Sequence, residues 1–466
     1  MIAITRRRML AGAVAAAAVP ALSRLAGAAP APVVLEARER KRTLPGCSGP
    51  SALWTYEDRW PTVVRVPRGE PFAATLRNGL AEHSTIHWHG VRVPFAMDGV
   101  PWVTQDPVLP GRSFDYRFAP PDPGTFFFHP HCNTMEALSR GMAGVLIVED
   151  PRDADRFDVD HVIALIDWRV RPDGSFDAFT TPAGAARAGT FGDLRTANGQ
   201  VRPQVVVPPG ARVRLRIVNL DPARAPMLDV AGGRAMVIAT DGNACAPFPA
   251  TGWRLGPAMR ADVALVAPAA GRVTFADGWA AQPVPLFDVV VAGARRGPPG
   301  RAGTLRLPPP ELPEPDLANA TLVEMALLAG QSDPEIERWA RETGMSADAL
   351  CLSQRIFWSI NRKAWPGNGH ERLPPPLAEL QRGKSYVIEF FNGTPHIHPM
   401  HLHGHTFRVL GATGRTLPPH WADTVMVQPK ERLRIALVAG EPGNWMLHCH
   451  IVEHQETGMM GYLRVS

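Results

Sequence analysis

The sequence predicts an all-β protein built from three similar sandwich modules in tandem, and three observations carry that prediction. Glycine (42) and proline (48) are abundant among the 466 residues, which favours many short strands joined by turns over long helices. Hydrophobic residues make up 45% and charged residues 20%, the composition of a globular chain too long for one core. One segment is also written three times, as "VRVPRGEPFAATLRNGL", "VVVPPGARVRLRIVNL" and "AELQRGKSYVIEFFNGT". In each copy a turn glycine (Gly69, Gly210, Gly383) precedes an asparagine (Asn78, Asn219, Asn392) by nine residues, across a strand of alternating character. The glycines lie 141 and 173 residues apart, which suits a β-sandwich with insertions.

Residues 1–28 read as a twin-arginine export signal: Arg6 and Arg7, an Ala/Val-rich run, then Ala26 and Ala28 in an Ala-x-Ala site. Pro20 and Arg24 interrupt the apolar run, so no stable membrane anchor is expected. Cleavage removes four arginines and leaves a formal charge of about +1 in place of +5. The basic pI is therefore no argument for nucleic-acid binding. The first module is assigned to residues 45–150 and ends at the polar "VEDPRDADRFD"; the second spans 155–295. A Pro-rich linker, 296–320, leads to the third module, 321–466, in which "SDPEIERWARETG" predicts a short helix capped by Asp333 and stopped by Gly344.

Histidines mark the outer modules only. Nine and eleven residues past the repeat asparagine stand His87 and His89 in the first copy and His401 and His403 in the third, against Leu228 and Val230 in the second. Five and seven residues past a second turn glycine stand His129 and His131, and His448 and His450, against Ala276 and Gly278. The middle module reads as a spacer. In a strand, residues i and i+2 share a face with Cα atoms roughly 6.5–7 Å apart, so a His-x-His pair serves two neighbouring ions better than one. Eight imidazoles exceed what one ion takes and suit a cluster of about three at an interface of the outer modules.

The same period of two sets Cys449 apart. With His448 and His450 on one face, the thiol between them points to the other and serves a separate centre. A thiolate, two imidazoles and a weak thioether form an electron-transfer copper set; His398, His454 and Met459 supply the partners. Zinc accepts Cys and His but carries no electrons. The other cysteines, Cys47, Cys132, Cys245 and Cys351, allow three disulfide pairings in an oxidising compartment. Cys132 follows His131 and points away from the cluster, which makes it structural. His83, His396 and His405 are read as solvated or supporting, and Met97, Met325, Met345 and Met400 form no Met-rich cluster.

At "HWHG", "HPH", "HPMHLHG" and "HCHIVEHQETGMM" the chain resembles the multicopper oxidases, the family of laccases, ferroxidases and bacterial cuprous oxidases. The resemblance covers nearly the whole mature chain and implies three consecutive cupredoxin-like Greek-key domains. It implies four coppers per chain. His87 and His401 would hold the type 2 ion; His89, His129, His131, His403, His448 and His450 the type 3 pair; His398, Cys449, His454 and Met459 the type 1 ion. It further implies an enzyme that takes single electrons from a small reductant and reduces O₂ to two waters, and the N-terminal signal adds the expectation of a periplasmic or secreted location, reached folded by the twin-arginine machinery. Asp98, nine residues after His89, stands where the family places a proton-relay acid. Where some relatives carry an acid after the last type 1 histidine, this chain has Gln455, leaving Glu453 or Glu456 for a second proton donor. The competing classes are a copper nitrite reductase, which leaves several paired histidines unexplained, and a non-enzymatic cupredoxin-fold protein that assists cell division or binds copper. Phenols, aromatic amines, Fe(II), Mn(II) and Cu(I) all remain open as the reductant, with laccase-like organic donors favoured.

Overall fold

The computed structural model describes residues 32–279, 282–294, 305–329, 357–366 and 372–466. The export signal, the expected helix at 333–344, Met345 and Cys351 lie outside the described residues. The chain is an all-β protein, and its described residues form six sheets, two for each of three sandwiches.

The repeated segment forms the same piece of structure three times. Phe72–Asn78, Arg212–Asn219 and Ser385–Asn392 each run parallel to the first strand of their sandwich, Val33–Arg42, Val159–Trp168 and Thr321–Ala329. Gly69, Gly210 and Gly383 all have φ between 65° and 78°, a region that a residue with a Cβ enters at a penalty. The asparagines have a shared task. Each is buried, and its Nδ2 donates to two loop carbonyls: Glu82 and Val108 for Asn78, Arg224 and Leu255 for Asn219, His396 and Val427 for Asn392. Each Oδ1 accepts the N–H two residues on. The repeat thus pins the loop leaving the strand, and in the outer modules the next strand carries the histidines.

Every sandwich has its own core, centred on Trp88, on Phe275 and Phe287, and on Trp358 and Trp445. A further cluster joins the first sandwich to the second through Trp60, Phe127, Val145, Ile166 and Trp168. Among the described residues three short α-helices interrupt the strands: α1 (Thr134–Ser139), α2 (Pro182–Ala185) and α3 (Val452–Glu456). Among the described residues no helix is long and apolar enough to cross a membrane.

Candidate metal centres

Strand alternation sorts the C-terminal ligands. Along Gly443–Cys449, Trp445, Leu447 and Cys449 enter the third core, while Met446 and His448 face the other way. The neighbouring strand His398–Leu402 is in register, Met400 opposite Cys449 and His401 opposite His448. His398, Met400 and Leu402 therefore share the thiol's face. In the first sandwich His87 lies opposite His129 and His89 opposite Phe127, with Trp88 and Phe128 turned into the core.

The two outer sandwiches bring all eight paired histidines together, each 4% exposed or less. The candidate groups share members: His87 falls with His401 and His403 and also with His89 and His129, and His403 falls with His131 and His448. His87 Nε2 meets His401 Nε2 at 3.4 Å. His131, His403 and His448 place ligand atoms within 4.8 Å of one another, His403 Nε2 and His448 Nε2 being 3.0 Å apart. The rings of His89, His129 and His450 lie 5.0, 5.4 and 5.9 Å apart pairwise. The groups overlap at their edges: His87 stacks on His403 at 3.8 Å and His89 on His401 at 3.6 Å.

Hydrogen bonds fix which nitrogen six of the eight rings present, as supporting partners do around bound metals. Nδ1–H of His87 donates to the Asp98 carbonyl, of His129 to Pro130, of His401 to Asp423 and of His448 to Cys449. His403 Nδ1–H donates to Asp98 Oδ2 at 2.8 Å. All five leave Nε2 toward the cluster. His89 is reversed, donating from Nε2 to Asp423 Oδ1 and freeing Nδ1. Among the described residues His89 Nδ1, His129 Nε2 and both ring nitrogens of His450 are buried without a hydrogen-bond partner. Such orphans would each cost about 1–3 kcal/mol, and a cation removes that penalty at each nitrogen it binds. Burial pushes the imidazoles of His89, His129, His403 and His450 well below the usual histidine range, so they stay neutral and keep a lone pair.

On the opposite face Cys449 Sγ lies 3.7 Å from both His398 Nδ1 and His454 Nδ1, which are themselves 3.1 Å apart. His454 Nε2–H donates to the Arg187 carbonyl at 2.7 Å and His398 Nε2–H to Thr394 Oγ1 at 2.8 Å, so both rings turn Nδ1 to the sulfur. Met459 is fully buried in the same core, and its carbonyl accepts the Cys449 N–H. Burial pushes the Cys449 thiol up and the His454 imidazole down to about 3. A thiolate therefore forms here only against a compensating cation. Both donor sets, nitrogen-rich and sulfur-containing, fit copper.

The middle sandwich is more than a spacer, which corrects the reading from repeats alone. It gives no ligand among the described residues, but its fully buried Arg260 pairs with Asp423, whose carboxylate touches His89 and lies 3.4 Å from His401 Nδ1. Burial alone would raise the Asp423 carboxyl; the Arg260 charge and hydrogen bonds, then His401, hold it well below the carboxylate range. Gly90, φ 81°, leaves room for this pair: a Cβ there would stand 2.2 Å from Asp423 Oδ2. Sequence reasoning missed Asp423 and Arg260. The available signal was charge inside an apolar strand, Arg260 and Asp262 in "MRADVALV" and Asp423 in "HWADTVMV".

The remaining candidates divide. Asp98 is buried against His87 and His403. Glu453 does not face the cluster: its carboxylate accepts from Thr190 N, Thr190 Oγ1 and Thr181 N of the middle sandwich. Glu456 accepts the Met135 N–H of α1, and burial pushes it up to about 7. Cys132 is buried with its sulfur 3.8 Å from Thr85 Oγ1. Cys47, Cys132, Cys245 and Cys449 are all free thiols. His405 is buried between the His403 carbonyl and the Gly440 N–H, while His83 packs on Trp102 and His396 on Trp358. A cleft of about 850 Å³ between the first two sandwiches is lined by none of the ligand candidates.

A cupredoxin-type fold carrying a thiolate centre back to back with a histidine cluster defines a class of copper oxidoreductases. Residues 353–466 and 38–153 each match a family described as multicopper oxidase. The structure is similar to the crystal structure of a multi-copper oxidase from Pseudomonas thermotolerans, 34% identical, covering 94% of this chain and 99% of that one with a TM-score of 0.82. It is also similar to that of Pseudomonas parafulva, 34% identical over 93% and 100% with a TM-score of 0.80. Among curated proteins, "Multicopper oxidase MmcO" of Mycobacterium tuberculosis is 28% identical over 438 residues, 87% of this chain and 81% of its own. The chain belongs to the multicopper oxidase family, copper oxidoreductases that use O₂.

Proposed function

We propose that this protein is an exported, laccase-like oxidase that couples four one-electron oxidations of a small reductant to the reduction of one O₂ to two waters. The observation that carries this reading is the opposed orientation of one tripeptide: Cys449 lies with His398 and His454, while His448 and His450 join the histidine cluster. Four copper ions, when bound, would supply one-electron acceptance at the thiolate and a four-electron store for O₂ at the cluster. The chain's own contribution is geometric and protonic. His87 and His401 would hold the type 2 ion; His131, His403 and His448, and His89, His129 and His450, would hold the type 3 pair. Met459 completes the type 1 set. One backbone joins the sulfur to both cluster histidines, so the electron route is a few covalent bonds. Asp98 Oδ2, on His403 Nδ1, is the carboxylate placed to move protons beside the cluster. A nitrite reductase leaves three imidazoles of one trio without a use, and a copper carrier needs no joined pair of centres.

Residues 1–28 support twin-arginine export, to the periplasm or beyond. The deciding experiment loads purified protein with copper and measures four things: copper per chain, thiolate–copper absorption, O₂ uptake, and turnover of a phenol, Fe(II) and Cu(I). About four coppers with phenol-dependent O₂ uptake are expected. Full oxidase activity in Cys449→Ser would overturn the mechanism.

A further inference from the structure

The type 1 candidate site is roofed by the middle sandwich. His398 and His454 have no exposed surface, so a reductant cannot touch either ring. The roof is the turn 181–190 around α2, and four contacts hold it. Arg187 O accepts the His454 Nε2–H; Ala185 O accepts the Trp358 Nε1–H at 2.6 Å; Thr181 and Thr190 bind the Glu453 carboxylate. The Trp358 ring lies 4.3 Å from the His454 ring and is itself buried. Arg187, whose carbonyl holds His454, is itself an exposed residue with no ion-pair partner among the described residues. Phe191, four residues along the chain, is 41% exposed with the Arg224 guanidinium 4.6 Å from its ring.

We propose that reductants dock on this turn of the middle sandwich and that Arg187 selects aromatic donors bearing a carboxylate. The proposal rests on the oxidase reading above. Arg187 would pair with the carboxylate of the donor, and the hydrogen bond from its own carbonyl to His454 leads inward from the docked ring. Each donor gives one electron and leaves as a phenoxyl radical, its hydroxyl proton passing to water. Four donors thus supply the four electrons, and release the four protons, that turn one O₂ into two waters.

The test has two arms. In the first, copper-free protein is titrated calorimetrically with 4-methoxybenzoate and with the uncharged 4-methoxybenzamide, neither of which it can oxidise. Wild type and Arg187→Lys should bind the benzoate in preference to the amide, and Arg187→Glu should weaken benzoate binding about fivefold or more, the scale of reversing one exposed ion pair. Equal binding of the two ligands, or unchanged binding in Arg187→Glu, overturns the proposal. In the second arm, copper-loaded protein oxidises a hydroxycinnamate and its methyl ester. The ratio of their kcat/KM values should fall about fivefold in Arg187→Glu, through KM, and recover in Arg187→Lys; an unchanged ratio overturns the proposal. Failure of wild type to oxidise either donor would sink the oxidase reading instead, while the copper-free titration still decides the role of Arg187.

Discussion

Asp98 serves two histidine groups with one residue, its backbone carbonyl taking the His87 Nδ1–H and its carboxylate the His403 Nδ1–H. Asp98→Asn keeps an oxygen for His403 but cannot carry a proton at that oxygen. Copper content and thiolate absorption should therefore stay as in wild type, while kcat for O₂ uptake falls about 10²-fold. The comparison of copper analysis with oxygen-electrode rates checks it. Asp423 has the other role, orienting rings from behind, and although a charge in an apolar strand marks it, its partnership with His89 was illegible because nothing within ten residues points to it. Its neighbours in "HWADTVMV" are ordinary strand residues; only the fold brings His89 across from residue 89 to residue 423.

At the scale of elements, the recurrent turn–strand–asparagine unit was legible because the same loop must be pinned three times. Asn219 tests that cause away from any ligand. Asn219→Ala strips two carbonyls and one N–H of their buried partner, and should cost about 2–4 kcal/mol on the scale of buried unsatisfied groups. Urea unfolding followed by tryptophan fluorescence would show a lowered midpoint with the copper content of the folded protein unchanged. The strand alternation at residues 448–450 was legible for a related reason: a period of two is fixed by backbone geometry whatever surrounds the strand. Assigning Glu453 or Glu456 as a second proton donor did not follow from that geometry. Both sit on α3, where direction depends on what the helix packs against, and Glu453 turned out to anchor the turn over His454.

Across the whole molecule, Arg260 ties the middle sandwich to the cluster built by the other two. Arg260→Met would leave the Asp423 carboxylate buried without its cation, a loss of about 3–5 kcal/mol. Lower copper occupancy at the histidine cluster than at the thiolate centre is expected, read by metal analysis alongside the thiolate absorption. The copper-free protein should also be acid-sensitive. His89, His129, His398, His403 and His450 have imidazoles well below the usual range because of burial. Below about pH 6.5 the unfolded chain takes up protons that the folded chain refuses, so stability declines as pH falls. Copper on the same nitrogens competes with those protons. Thermal melts from pH 8 to 5 should diverge, the copper-free curve falling more steeply than the loaded one.

By itself the sequence determined the three-module β architecture, the grouping of the ligands into two centres and the face on which Cys449 lies. Each follows from local period or from repetition, which act over a few residues at a time. Only the tertiary structure decided how the eight imidazoles meet, which ring nitrogen six of them present, that Arg260 and Asp423 stand behind the cluster, and that the turn at Arg187 roofs His454. Those features join residues as far apart in sequence as His89 and His450, and contacts between separate sandwiches leave no periodic trace in the chain that makes them.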